Sequence, residues 1–81
     1  VKTIVLTLAA MKMFDALPQD VQLQIGRALD AYAMSGRGDI KALRGQTGYR
    51  LRVGRYRVIF DEDSQTILAF YIGKRETTTY G

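Results

Sequence analysis

The chain has 81 residues, the length of one small domain, and carries twelve Lys and Arg against eight Asp and Glu, for a formal charge of +4. It contains no Cys, His or Trp, which excludes disulfides, thiolate nucleophiles, Cys/His zinc sites and a histidine general base. Its 47% hydrophobic and 25% charged residues are an ordinary globular composition, unlike that of a disordered tail.

Thr3–Leu6 (T-I-V-L) is rich in β-branched residues and predicts a short buried strand. Thr7 is placed to cap a helix through Ala9–Phe14, with Ala10, Met11, Phe14 and Leu17 on its apolar face. Pro18 restarts the chain in the first turn of a second helix, where its missing N–H costs nothing, and Asp20 suits the positive end of the helix dipole. Val21, Ile25, Ala28, Leu29, Tyr32 and Ala33 recur at helical spacing, and Gly36 is a natural C-cap. The two helices read as an αα-hairpin whose apolar stripes face a core. The glycine-rich stretch Arg37–Gly48 predicts a loop, in which Asp39 caps at most one helical turn through Ile40–Leu43. Its glycines match neither a dinucleotide nor a P-loop spacing, so no phosphate cradle is assigned.

From Tyr49 the period changes to two. Tyr49, Leu51 and Val53 alternate with Arg50 and Arg52, Gly54-Arg55 forms a two-residue turn with Gly first, and Tyr56, Val58 and Phe60 alternate with Arg57 and Ile59. Glu62-Asp63-Ser64 predicts a second turn, and Thr66–Ile72 is a near-continuous apolar run expected of a central strand buried on both faces. Asp61-Glu62-Asp63 is read as part of that polar turn rather than as a magnesium site, because one local cluster makes no two-metal centre. The predicted order is β-α-α-β-β-β, an α+β fold with the αα-hairpin packed on a small, mainly antiparallel sheet. No segment is long and apolar enough to span a membrane, and no signal peptide is recognised, so a cytoplasmic protein is expected.

Charge is concentrated in the second half. Lys2, Lys12 and Arg27 balance Asp15, Asp20 and Asp30, whereas four of the later arginines fall within Tyr49–Arg57 with no acid among them. With Gly54-Arg55 as the turn, Arg52 lies directly opposite Arg57, and Arg50, Arg52 and Arg57 share the face turned away from the helices. Like charges so placed repel, and neither strand supplies an acid to relieve them. Such a face is either a solvated surface with splayed side chains or a grip for a polyanion. An antiparallel last strand would bring Lys74, Arg75 and Tyr80 to the same end, where arginine forks suit phosphate oxygens and a tyrosine can stack on a base or exchange a proton.

Three segments carry a family resemblance. G-Y-R-L-R-V-G-R-Y-R-V-I-F (Gly48–Phe60) resembles the central hairpin of the RelE/ParE superfamily of bacterial toxins from type II toxin–antitoxin modules. I-G-K-R-E-T-T-T-Y (Ile72–Tyr80) is similar to the C-terminal signature of that superfamily, and A-L-P-Q-D-V-Q (Ala16–Gln22) to its interhelical turn. The resemblance implies either a ribosome-dependent endoribonuclease that cleaves mRNA in the A site, as in RelE, or a DNA gyrase poison that is no nuclease, as in ParE; a nucleic-acid-binding module without catalysis is a third reading. The basic set and terminal tyrosine favour RelE. Carried over by position, Arg57, Arg75 and Tyr80, with Lys74, are the expected catalytic residues and Arg50 and Arg52 the expected RNA-binding ones; Arg55 and Arg44 are further expected RNA-binding residues. Lys74 stands where some relatives have a histidine. No metal or other cofactor is implied. The implied partners are a cognate antitoxin, through which an oligomer would form, and the ribosome with its mRNA (or, in the alternative, gyrase), with no membrane.

Overall fold

The computed structural model describes residues 1–45 and 47–74. In chain order the elements are β1 (Thr3–Leu6), α1 (Leu8–Asp15), α2 (Gln19–Ser35), β2 (Asp39–Ala42), β3 (Tyr49–Val53), β4 (Tyr56–Glu62) and β5 (Thr66–Lys74). They form the expected α+β arrangement: two helices on one face of a five-stranded sheet of order β1-β5-β4-β3-β2, antiparallel except where β1 runs parallel to β5.

Local chemistry sets the helices. Thr7 Oγ1 accepts from Ala10 N at 3.1 Å and caps α1. Pro18 occupies the N-cap of α2, one residue earlier than expected, and Gly36 ends the helix at φ +76°, a conformation that suits glycine. Gln22 Nε2 donates to the carbonyls of Phe14 and Leu17 at 3.0 and 3.2 Å, so the first turn of α2 is tied to the chain that leaves α1.

The core lies between the helices and the sheet. Ala10, Val21, Ile25, Leu29 and Ala33 from the helices meet Leu51, Val58, Phe60, Ile67, Ala69 and Ile72 from the strands. Tyr32 and Tyr49 flank Phe60 at 5.5 and 5.6 Å between ring centroids. Truncating the fully buried Phe60 to Ala is expected to cost roughly 3–5 kcal/mol.

Several expectations are corrected. Asp39–Ala42 is an edge strand, not a loop with a helical turn, because Ile40 packs on the core while β2 pairs along the whole of Tyr49–Arg52. β1 is the opposite edge strand and only half-buried: Ile4 and Leu6 turn inward, and Val5 is exposed. On α1, Met13 turns inward and Met11 outward. β5 is buried on one face only, with Leu68 and Phe70 exposed on the other. Asp61 and Glu62 end β4 and are not part of the turn, which begins at Asp63.

Candidate nucleic-acid interface

The β3–β4 hairpin has the anticipated register. Val53 opposes Tyr56, Arg52 opposes Arg57, Leu51 opposes Val58 and Arg50 opposes Ile59. Gly54 has φ +59° while Arg55 keeps a negative φ, as a Gly-first two-residue turn requires. Leu51, Val58 and Phe60 therefore point into the core with Tyr49, Val53 and Tyr56 beside them, and alternation sends Arg50, Arg52 and Arg57 to the outer face.

The added strand β2 changes the electrostatics of that face. It brings Asp39 opposite Arg52, and Arg52 Nε donates to Asp39 Oδ2 at 2.8 Å. The expectation that no acid relieves the opposed arginines is thus overturned, by a residue assigned to a loop. Both partners are about half exposed, so the pair adds little stability, on the order of 0–1 kcal/mol. Its larger consequence is that Arg52 is locally neutralised and Arg57 is not.

Arg57 is the unusual side chain of the sheet. Among the described residues it makes no hydrogen bond and no ion pair, and its Nε is shut off from solvent without a partner. Its guanidinium carbon lies 5.6 Å from the centroid of the Tyr71 ring. A buried N–H left without an acceptor costs roughly 1–3 kcal/mol, so the fold carries a penalty at this point.

A second row of the outer face runs Lys41, Arg50, Ile59, Tyr71 across four strands. Beside it, Lys41, Leu43, Arg44 and Arg50 line an open depression of roughly 430 Å³. Arg55 projects from the hairpin turn and is exposed. Lys74 ends β5 opposite Tyr56, which places it at the Arg57 end of the sheet but, by register, on the helix side. Of the expected site residues, Arg50, Arg52 and Arg57 thus share one surface, Arg44 borders it, Arg55 stands at its tip and Lys74 lies around the edge. Arg75 and Tyr80 lie outside the described residues.

Sequence reasoning missed Tyr71 and Lys41. The signal for Lys41 was its alternation with Ile40 and Ala42, too short to read alone. Tyr71 gave no local signal, because its direction depends on a register shift between Ile59 and Phe60 on β4, where the partners jump from Tyr71 to Ala69 and leave Phe70 over. The described residues hold no cluster of acids able to bind a metal, and no helix among them is long and apolar enough to cross a membrane.

No protein-family model matches the chain, and no curated protein is similar to it in sequence. Solved structures are similar in fold. The isolated RelE toxin of E. coli superposes with a TM-score of 0.79 at 21% identity, over 96% of this chain and 88% of that one. The archaeal RelE–RelB complex from Pyrococcus horikoshii gives 0.79 at 20% identity, over 95% and 98%. The YoeB dimer from Staphylococcus aureus gives 0.74 at 19%, over 93% and 98%. At such identities the likeness establishes the fold: this chain has the fold of the RelE toxins.

Proposed function

We propose that this chain is the toxin of a type II toxin–antitoxin module and acts as a ribosome-dependent endoribonuclease on mRNA. The single observation that carries the reading is Arg57: a guanidinium with no acidic partner among the described residues, on a face shared with Arg50, Arg52 and Lys41, in a chain folded like RelE. Fold alone does not choose a chemistry, so the weight rests on this surface.

Metal-free RNA cleavage needs three things: a base for the 2′-hydroxyl, charge to stabilise the phosphorane, and an acid for the leaving 5′-oxygen. Arg57 supplies the second through charge-assisted hydrogen bonds to the equatorial oxygens. Arg50, Lys41 and Arg44 hold the RNA backbone by phosphate contacts, which makes binding salt-dependent. The resemblance assigns Arg75 a share of the charge stabilisation, Tyr80 the base, and Lys74 assistance at the leaving oxygen. A tyrosine serves as base only when neighbouring cations lower its pKa from about 10. With no histidine in the chain, the proton transfers are slow unless the substrate is held in line, and the ribosome provides that alignment.

Among the similar structures are RelB–RelE antitoxin–toxin complexes, which supports a cognate antitoxin here as well. Its toxin-binding segment is expected to be acidic and to cover the αα-hairpin or the basic face, folding as it binds.

Primer extension on a translated message after induction tests the proposal. Cuts in phase with codons are expected, with little cleavage of the same RNA free of ribosomes. Gyrase–DNA adducts without message cleavage would instead establish the gyrase-poison reading, and growth without arrest would leave only a binding module.

A further inference from the structure

We infer that Tyr71, seated over Gly73, positions the Arg57 guanidinium for a phosphate by holding it through the ring face, without neutralising it. The inference rests on the proposed reading of the outer face as a phosphate-gripping surface and assigns the device that keeps it charged.

Two ways of holding a cation coexist on the sheet. Lys2 is held by Glu62 and Arg52 by Asp39, each through a carboxylate that cancels its charge. Arg57 has an aromatic face in that place, 5.6 Å from its guanidinium carbon. A ring attracts a cation through its quadrupole and removes no charge, so the guanidinium is restrained and still free to take phosphate oxygens.

Backbone and sequence are arranged to put the ring there. Arg57 pairs with Gly73 and Ile59 with Tyr71, so Arg57 and Tyr71 are diagonal neighbours on one face. That depends on the bulge: with Phe60 opposite Ala69 and Ile59 opposite Tyr71, Phe70 is the extra residue, and without it Tyr71 would have pointed to the core. Gly73 then clears the floor. A Cβ built there would lie 2.6 Å from the Tyr71 hydroxyl oxygen and 2.9 Å from Cζ. Glycine inside a strand is a weak choice unless something approaches closely, and here the approaching group is the tyrosine that faces Arg57. Because the clash is with the far end of a side chain, Gly73→Ala should push the ring aside and leave the strand intact.

The test follows the Arg57 Nε–H resonance of the ¹⁵N-labelled full chain during titration with inorganic phosphate. In the wild type this resonance should shift with phosphate. Tyr71→Leu should weaken phosphate binding at Arg57 by about tenfold and move the resonance toward those of exposed arginines. Gly73→Ala should reproduce both effects with a native amide spectrum, and it carries the test if Tyr71→Leu does not fold. Tyr71→Phe, which keeps the ring, should bind within about twofold of wild type. The inference is overturned if Arg57 does not respond to phosphate, if a folded Tyr71→Leu or Gly73→Ala binds like wild type, or if Tyr71→Phe is as weak as Tyr71→Leu, since the hydroxyl and not the ring face would then act. Message cleavage is scored separately on the same proteins: its absence in the wild type removes the ribonuclease reading, while the phosphate titration still decides the role of Tyr71.

Discussion

The two ends of β4 treat a partly buried charge in opposite ways. At the C-terminal end Glu62 turns toward the helices, its side chain only 15% exposed, and both carboxylate oxygens are used: Lys2 Nζ donates to one at 2.9 Å and Tyr32 Oη to the other at 2.7 Å. At the N-terminal end Arg57 turns to the outer face with its Nε enclosed and unbonded among the described residues. The Glu62 end ties the N-terminus, α2 and the sheet together, which is what a stabilising site does. The Arg57 end leaves a guanidinium without an acid among the described residues and an enclosed donor unbonded, which costs stability rather than adding to it.

Substitutions at the two ends should separate function from stability. The largest effect is expected from Arg57→Ala, which should lower ribosome-dependent cleavage by about 10²–10³-fold while the urea midpoint stays at or above that of wild type, since the enclosed unpaired donor is removed. Equal losses of activity and stability would show that Arg57 is a structural residue like Glu62. Glu62→Ala should do the converse: a loss of about 1–3 kcal/mol in urea unfolding, because Lys2 and Tyr32 lose their acceptor, with codon-phased cuts retained.

Tyr32→Phe is the milder probe of the stabilising end, expected to cost about 1 kcal/mol near neutral pH. Burial, helped by the hydrogen bond to Glu62 and the charge of that carboxylate, pushes the Tyr32 hydroxyl up from 10.0 to about 12. A pKa raised in the folded state favours the protonated form there. Its stabilisation is therefore complete below pH 10 and is lost as the pH rises through about 12. The stability difference between wild type and Tyr32→Phe should narrow over that interval in urea titrations, and a constant difference would mean that folding does not raise the Tyr32 hydroxyl.

The smallest effect sharpens the contrast between Arg52 and Arg57. Asp39→Asn frees Arg52, so RNA binding should tighten a few-fold at low salt, and the slope of log affinity against log salt should steepen by up to about 0.7. An unchanged slope would mean that Arg52 lies off the path of the RNA backbone.

How far the sequence could be read depended on the range of the interactions. The αα-hairpin was legible because its stripe, Val21, Ile25, Leu29 and Ala33, repeats within one element and is the stripe found buried. The arginine face was legible because period two and a Gly-first turn settle which residues oppose each other across Gly54-Arg55. The stretch before it was misread: Asp39–Ala42 is only four residues long between glycines, too short for its alternation to outweigh a loop signal. Likewise the apolar run of β5 suggested burial on both faces, whereas Leu68 and Phe70 lie open on the outer side.

Two amphipathic helices, an alternating hairpin and the side of it on which Arg50, Arg52 and Arg57 emerge follow from the order of residues, since turn geometry and residue period act between near neighbours. Which of those arginines meets an acid and which an aromatic ring is set by long-range strand pairing. Asp39 reaches Arg52 only because β2 pairs with β3, and Tyr71 reaches Arg57 only because β5 bulges at Phe70 against β4. Both contacts join segments far apart in the chain, and pairing between distant strands is fixed by the packing of the whole sheet on its core, not by any local run of residues.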